Sequence, residues 1–206
     1  MEQGSMLEMC ADSAHKPIVL AFAGPNGSGK STVKRGLPVF GTYVNADDLK
    51  SEYGLPDLEA AKQAEALRNE LLYHKADFSF ETVLSTERNL LLLQRAKEIG
   101  YEVQCIYVLT CNEDINIARV RARVAAGGHN VPEDKIRSRY HKALALLPSL
   151  ISVCDVILIY DNSERPSLLY KKEYSFFEYY PNNLWPDEKL KFLLTSRNTL
   201  NNKHNI

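Results

Sequence analysis

The sequence has no excess of positive charge. It contains 25 basic and 26 acidic residues with five histidines, which gives a formal net charge of −1. A protein that neutralises many nucleic-acid phosphates needs a strong positive field, and this composition does not supply one. We therefore expect no nucleic acid as a dedicated partner.

Cysteines are few, and long apolar runs are missing. Cys10, Cys105, Cys111 and Cys154 lack the spacing of a zinc site, which favours free thiols in a reducing compartment. The only N-terminal apolar run, 18–23, is too short to cross a bilayer and does not have the form of a cleavable signal. These features predict a cytoplasmic protein with no membrane partner.

No internal repeat, low-complexity block or linker divides the chain. With 206 residues and 45% apolar composition, it has the size of one compact domain. We predict a single domain over 16–197, a flexible extension over 1–15 and a loose tail over 198–206.

Apolar runs alternate with helical periodicities along this domain. The runs predict five core strands, at 18–23, 42–45, 78–84, 101–109 and 156–160. Helices are predicted between them, most clearly at 57–75, where the apolar face consists of Leu58, Ala61, Ala64, Leu67 and Leu71. The alternation predicts an α/β fold with three α/β/α layers and a mainly parallel five-stranded sheet. The tyrosine- and phenylalanine-rich segment 168–180 is expected to form a hairpin.

A glycine-rich segment, GPNGSGKST, lies between the first predicted strand and a helix. It fits the pattern G-x-x-x-x-G-K-[S/T], whose backbone N–H groups bind nucleotide phosphates. Lys30 is expected to reach the β and γ phosphates of ATP, and the Ser31 hydroxyl to bind a Mg²⁺ carried by the nucleotide. The predicted ATP-binding residues are Gly24, Pro25, Asn26, Gly27, Ser28, Gly29, Lys30, Ser31 and Thr32. Such a loop indicates a P-loop fold but does not separate kinases from GTPases, motor ATPases or switches.

Two aspartates follow the second strand, at the sheet edge where open α/β sheets place their ligands. A kinase needs a group that accepts the proton of the acceptor hydroxyl, and Asp47 is our candidate for this base. For Asp48 we favour capping of the next helix.

Glu81 and Thr82 end the third strand at the same edge. A glutamate in an apolar run needs a partner, which could be a substrate hydroxyl or an internal arginine or lysine. The residue types leave both interpretations open.

Arginines are concentrated in the segment 119–140, which we interpret as a helical lid. Arg119 and Arg123 are four residues apart on one helix face and could clamp the triphosphate, although a solvated basic face is the alternative. Gly127, Gly128 and His129 then form a hinge before a second helix that carries Arg137 and Arg139. Periodicity does not choose between these last two arginines.

Signals of other nucleotide-driven machines are missing from the sequence. No run of four apolar residues is followed by Asp-Glu, so the water-activating carboxylate of motor ATPases is not visible. This favours a small-molecule kinase. Asp161 is an acidic residue after the last core strand, but the following Asn162 and Ser163 are interpreted as turn formers.

Four motifs together resemble the zeta toxin family of P-loop kinases, over about residues 17–163. They are GPNGSGKST, NADD, FETVLS and RVRARVAAGGHNVPEDKIRSRY. The GGHNVP segment is similar to the chromosomal zeta-like branch. The better known family members phosphorylate UDP-N-acetylglucosamine, so the resemblance implies an ATP-dependent kinase with an alcohol group as acceptor and an antitoxin protein as partner.

The resemblance also implies roles for individual residues. Asp47 corresponds to the base and Lys30 to the nucleotide lysine, while Arg123 and Arg139 match the phosphate-binding arginines better than Arg119. The implied substrate contacts are Asp47, Glu81, Thr82 and the lid residue His129. Glu81 and Thr82 are adjacent here, whereas a glycine separates their counterparts in the toxins, so the acceptor can differ.

Three functional hypotheses follow. The first is an ATP-dependent kinase of a UDP-amino sugar hydroxyl. The second is a kinase of a nucleoside, another sugar or a polynucleotide end. The third is a non-catalytic ATP-binding regulator that signals through a partner, with the aromatic segment around 170–180 as its contact surface.

Overall fold

Seven strands form one sheet in the computed structural model, which describes residues 15–37 and 39–195. The strands are β1 Ile18–Ala23, β2 Thr42–Val44, β3 Phe78–Thr82, β4 Glu102–Leu109, β5 Val156–Asp161, β6 Ser167–Glu173 and β7 Phe176–Tyr179. Their order across the sheet is β2-β3-β1-β4-β5-β6-β7. Except for His15, the extension predicted over 1–15 lies outside the described residues, as does the tail over 198–206.

The first five strands are all parallel, and the last two add an antiparallel hairpin. The central strand β1 is buried over Val19–Ala23, as expected for a parallel strand covered by helices on both faces. The predicted mainly parallel α/β fold is therefore confirmed. The five predicted strands are its parallel part, and the expected hairpin extends the same sheet to seven strands.

Seven helices are present in the described part of the chain. They are α1 Lys30–Lys34, α2 Ala46–Tyr53, α3 Asp57–Tyr73, α4 Arg88–Glu98, α5 Glu113–Ala125, α6 Glu133–Val153 and α7 Asp187–Thr195. The side chains of Asn45 and Asn112 cap α2 and α5 by accepting hydrogen bonds from backbone N–H groups two residues later. Within the described ranges, no helix has the length and apolar character needed to cross a membrane.

The helix α3 was predicted correctly, and its predicted apolar face is confirmed in part, because Ala64 is buried and Leu67 and Leu71 pack against the core. Leu58 is 70% exposed, and the residues that α3 buries are Ala60, Ala64, Arg68 and Leu72. An arginine in this buried stripe interrupts the apolar pattern from which the face was predicted. The buried face is therefore rotated relative to the predicted one.

The aromatic hairpin is only partly in the core. Tyr170 is buried and contacts the rings of Phe177 and Tyr179, whereas Phe176 is 79% exposed. Core packing therefore accounts for only part of this aromatic cluster.

Strand register brings distant parts of the chain to one edge of the sheet. Ala23 at the end of β1 lies opposite Thr82 in β3 and Tyr107 in β4. The N–H of Gly24 then donates to the Thr82 carbonyl at 3.2 Å. The glycine-rich loop thus begins directly beside Glu81 and Thr82.

Candidate active site

The glycine-rich loop, residues 24–32, fits tightly against its surroundings. Gly24, Gly27 and Gly29 all have positive φ. A Cβ at Gly24 would lie 2.0 Å from the Val108 carbonyl oxygen, and one at Gly29 would lie 2.1 Å from Asn162 Nδ2. Only glycine fits either position, so the sequence pattern has a steric reason here.

Two buried asparagines hold the loop from behind. Asn116 Nδ2 donates to the Asn26 carbonyl at 2.6 Å, and Asn162 Nδ2 donates to the Ser28 carbonyl at 2.8 Å. Sequence reasoning missed both residues, and it was wrong to interpret Asn162 as a simple turn former. Two features of the sequence could have indicated them: Asn116 stands beside Ile117 of the apolar face of α5, and Asn162 directly follows a core strand. A polar side chain at such a position is expected to be buried and to need a hydrogen-bond partner.

The neighbour of Asn162 is also buried. Asp161 Oδ1 accepts a hydrogen bond from the Ser163 hydroxyl at 2.6 Å, and that hydroxyl accepts one from the Cys111 N–H at 2.8 Å. This short network fixes the chain after β5. Ser163, the other predicted turn former, thus lies in a local turn in which its N–H and its hydroxyl both donate to Asp161 Oδ1.

Lys30 is buried at the base of the loop. Its Nζ donates to the carbonyls of Gly24 at 2.8 Å and Pro25 at 3.2 Å. Burial lowers the pKa of the Lys30 ammonium, and the charge of Glu81 opposes that shift. A bound phosphate would replace these carbonyls as the hydrogen-bond acceptor of Lys30.

Glu81 has internal partners while it also lines an open cleft. Its Oε1 lies 3.7 Å from Lys30 Nζ, and its Oε2 accepts a hydrogen bond from the Tyr43 hydroxyl at 3.3 Å. Burial and the charge of Glu81 raise the pKa of Tyr43, which keeps its phenol protonated as the donor. The internal-pairing interpretation therefore describes the ligand-free protein.

This cleft has a volume of about 480 Å³ and lies between the loop, α2, α3 and the segment joining α5 to α6. Its lining contains many of the predicted site residues: Asn26, Gly27, Lys30, Asp47, Glu81, Thr82, Arg123, His129 and Arg139. The other predicted site residues are not part of that lining: Gly24, Pro25, Ser28, Gly29, Ser31, Thr32 and Arg119. The chain thus has an open cleft on one side of the loop.

The two aspartates lie in the first turn of α2, and only Asp47 lines the cleft. The N-cap of this helix is Asn45, whose Oδ1 accepts from the Asp47 N–H at 3.1 Å. The capping role predicted for Asp48 is therefore wrong, because an asparagine three residues earlier already provides the cap.

The Thr82 hydroxyl has one unused hydrogen-bonding capacity. Its Oγ1 accepts from the Leu84 N–H at 3.0 Å and from Asn89 Nδ2 at 2.8 Å. Both lone pairs are then occupied, so any further hydrogen bond of this hydroxyl uses its proton.

The lid arginines have distinct surroundings. Arg123 Nη2 donates to the His129 carbonyl at 2.9 Å, and Arg139 Nη1 lies 3.3 Å from Asn26 Oδ1 on the loop. Arg137 points elsewhere, where it pairs with Asp114 at 2.8 Å and Glu133 at 3.0 Å. Geometry therefore separates the two arginines that periodicity left open, because only Arg139 lines the cleft.

Arg119 lies beside the loop but outside the cleft. Its Nη2 donates to the Ser163 carbonyl at 2.9 Å, while its Nη1 is buried with no hydrogen-bond partner among the described residues. A Cβ at Gly29 would lie 3.8 Å from this Nη1.

The residues present fit a metal that arrives with the nucleotide. Within residues 15–37 and 39–195, no group of three or more His, Cys, Asp or Glu side chains is placed to hold a metal ion. The Ser31 hydroxyl, next to Lys30 at the start of α1, is exposed. A single hydroxyl suits a Mg²⁺ whose other ligands are phosphate oxygens and water.

Sequence comparison finds one family. The family model described as Zeta toxin matches residues 37–174, which is more than half of the chain and begins after the glycine-rich loop. An uncharacterized protein of Haemophilus influenzae is 30% identical over 125 residues, which cover 58% of this chain and 89% of that protein.

Comparison with solved structures finds the same fold at low identity. The AvrRxo1-ORF1:AvrRxo1-ORF2 complex gives a TM-score of 0.68 at 16% identity, over 87% of this chain. This chain spans only 64% of the AvrRxo1 chain it matches. The PezAT chromosomal toxin-antitoxin system of Streptococcus pneumoniae gives a TM-score of 0.54 at 23% identity, over 77% of this chain and 72% of that one.

Proposed function

Because this chain belongs to the zeta toxin family of P-loop kinases, we propose that it transfers the γ-phosphate of ATP to a hydroxyl group of a small molecule. The observation that carries the proposal is the cleft, in which Lys30, Asp47, Glu81, Arg123 and Arg139 converge on the edge of the glycine-rich loop. The loop lies outside the residues matched by the family, so it is a separate line of support.

In this proposal ATP binds along residues 24–32. The backbone N–H groups of the loop and the start of α1 hold the phosphates, with Lys30 reaching the β and γ phosphates. Arg119 is proposed to contact the nucleotide, because its free Nη1 lies close to Gly29. Support for ATP also comes from a solved AvrRxo1-ORF1:AvrRxo1-ORF2 complex with ATP, whose TM-score is 0.68 at 15% identity.

Ser31 is proposed to bind Mg²⁺. When bound, this ion neutralises phosphate charge and helps to align the transferred group.

The chemistry requires one proton acceptor and several positive charges. Asp47 accepts the proton of the acceptor hydroxyl as its oxygen forms a bond to the γ-phosphorus. The bond from that phosphorus to its bridging oxygen breaks, and ADP leaves. Lys30, Arg123 and Arg139 stabilise the negative charge of the transferring group, a role for which arginine is well suited.

The acceptor is proposed to be a UDP-amino sugar such as UDP-N-acetylglucosamine. Glu81 and Thr82 would bind its hydroxyls and His129 would contact it from the lid, and a cleft of about 480 Å³ is within the range of small-molecule sites. A nucleoside, another sugar or a polynucleotide end could use the same machinery.

We also propose a cytoplasmic location and an antitoxin protein as partner. The partner is suggested by the PezAT system, which is described as a toxin-antitoxin system. The alternative of a non-catalytic ATP-binding regulator is favoured only by the exposed rings of Phe176 and Phe177, which offer a contact surface.

The test is a transfer reaction with γ-labelled ATP, Mg²⁺ and UDP-N-acetylglucosamine, in which labelled sugar nucleotide is separated by chromatography. We expect labelled product from the wild type and a loss of at least about 100-fold in Lys30→Ala, because the lysine contacts the transferred phosphate. Equal amounts of labelled product from Lys30→Ala and the wild type would contradict a role of this loop in phosphate transfer. ATP binding without any product would exclude this acceptor and direct the search to the others.

A further inference from the structure

Arg68 is a buried arginine that forms no ion pair within the part of the chain that the structure describes. It lies in the middle of α3, is 7% exposed, and continues the buried stripe of Ala60, Ala64 and Leu72. Its Nε has no hydrogen-bond partner, and no carboxylate among the described residues forms an ion pair with it. The nearby carboxylate of Glu65 pairs with Arg88 instead, at 3.3 Å.

Packing within the protein does not explain this side chain. The guanidinium carbon lies 5.3 Å from the centre of the Phe80 ring, a cation–π contact that offsets only part of the cost of burying the charge. Burial lowers the pKa of the Arg68 guanidinium, and the charge of Glu65 opposes that shift. A leucine or methionine would suit the stripe better if its only role were packing.

Arg68 lines the same cleft as the predicted catalytic residues. Ala60, Ala61 and Ala64, one to two turns earlier on α3, also line it and have small side chains. Asn89 lies on the lining too.

Two of the three carboxylates that line the cleft already have basic partners, and the third is Asp47, the proposed base. Glu81 is held by Lys30 and Tyr43, and Asp57 lies 2.5 Å from Lys50. This part of the cleft therefore has an unmatched positive charge, which is suited to an anionic ligand.

We propose that Arg68 binds an oxyanion of the acceptor, so that the acceptor carries a phosphate or carboxylate group in addition to the hydroxyl that receives the phosphate. The planar guanidinium can donate two parallel hydrogen bonds to either group. This inference rests on the proposed function, since it assigns the cleft to the acceptor. Arg68 is then a specificity-determining residue. Burial of its charge destabilises the fold, but it preorganises the site for an anionic ligand.

The test measures ligand-induced shifts in unfolding temperature on full-length protein saturated with Mg²⁺ and a non-hydrolysable ATP analogue, so that the loop is occupied. The probes are pyrophosphate and a matched set of sugars: uncharged N-acetylglucosamine, its 1-phosphate, and the carboxylate N-acetylmuramic acid. The variants are Arg68→Met, which keeps the apolar stem, and Arg88→Met, an exposed arginine that lines the same cleft.

We expect anionic probes to raise the unfolding temperature of the wild type and of Arg88→Met, with at least about tenfold weaker apparent affinity in Arg68→Met. Comparison of the shifts caused by the sugar phosphate and the sugar carboxylate shows which oxyanion is preferred. The proposal is overturned if Arg68→Met responds to the anions like the wild type, or if no anion shifts the wild type.

A purely structural role for Arg68 gives a different result. Because an unpaired buried charge is removed, we expect ligand-free Arg68→Met to unfold at the same temperature as the wild type or higher. A fall in that temperature with an unchanged anion response would make Arg68 a packing residue. Kinetics distinguish the two proposals. If product formation is lost in Lys30→Ala while Arg68→Met keeps the wild-type KM for the acceptor, the kinase proposal stands and the proposed role of Arg68 is excluded.

Discussion

Single buried polar side chains determine the shape of the phosphate loop. Asn162 is the clearest case, because its amide donates to the Ser28 carbonyl and lies where a Cβ at Gly29 would clash. Since the loop has positive φ at three glycines, it needs such external hydrogen bonds to hold one conformation.

Removing this amide should loosen the loop. We expect Asn162→Ala to lower the free energy of unfolding by about 1–3 kcal/mol, because the buried Ser28 carbonyl loses its partner. Binding of Mg²⁺ and ATP should weaken by about tenfold as the loop loses its preorganisation. Chemical denaturation and titration calorimetry measure the two effects.

The matched control is Asn182→Ala in the turn before α7, where the side chain accepts from the N–H groups of Leu184 and Trp185. It should cost stability without weakening ATP binding. Equal ATP affinity in Asn162→Ala and the wild type would show that the asparagine does not shape the loop.

For individual residues, the sequence predicts the members of the glycine-rich loop but not the buried polar side chains that support it. The glycine pattern was recognisable because backbone sterics impose it directly. Asn116, Asn162 and Arg68 were missed because their significance is burial, and burial of a polar residue cannot be seen before the faces of its helix or strand are known.

Among the elements, the helices α5 and α6 give the two neighbouring arginines Arg137 and Arg139 different surroundings. The helices α5 and α6 start with acidic residues, and Arg137 joins Glu113 and Asp114 of one to Glu133 of the other. Arg139, two positions later on α6, faces the loop instead.

Two neighbouring substitutions test this division. Arg139→Ala is expected to lower kcat for phosphate transfer by about 100-fold or more, since it removes a positive charge that is proposed to stabilise the transferred phosphoryl group. Arg137→Ala should leave kcat near the wild-type value and change the stability of the protein little, because its ion pairs are exposed to solvent. Steady-state kinetics and denaturation separate the two variants, and a larger loss of kcat in Arg137→Ala would reverse the assignment.

Most elements are predictable because their periodicities are strong. The strand Ile18–Ala23 and the helix beginning at Asp57 agree with the predicted starts. The buried stripe of α3 differs from the predicted apolar face because it contains Arg68, and the binding role proposed for this side chain would account for an arginine where packing alone favours an apolar residue.

At the scale of the whole molecule, the parallel sheet assembles the site. Residues 24–32, 47, 81–82 and 161–162 are far apart in the chain, yet they lie at or just after the ends of strands that meet at one edge. The sequence predicts this convergence from the alternation of strands and helices. It does not predict the strand order or the seven-stranded width of the sheet, because these depend on long-range pairing and on the hairpin β6–β7 continuing the sheet.

The central claim is that this fold holds an acceptor hydroxyl between Asp47 and the nucleotide. The most direct measurement is the single-turnover rate of phosphate transfer in Asp47→Asn and Asp48→Asn, with ATP binding measured by calorimetry in parallel. Both changes remove one carboxylate from the first turn of α2, so their effects on the helix dipole are matched. We predict that Asp47→Asn binds ATP normally but transfers phosphate about 100- to 10,000-fold more slowly, while Asp48→Asn stays near the wild type. A wild-type rate in Asp47→Asn would contradict the account.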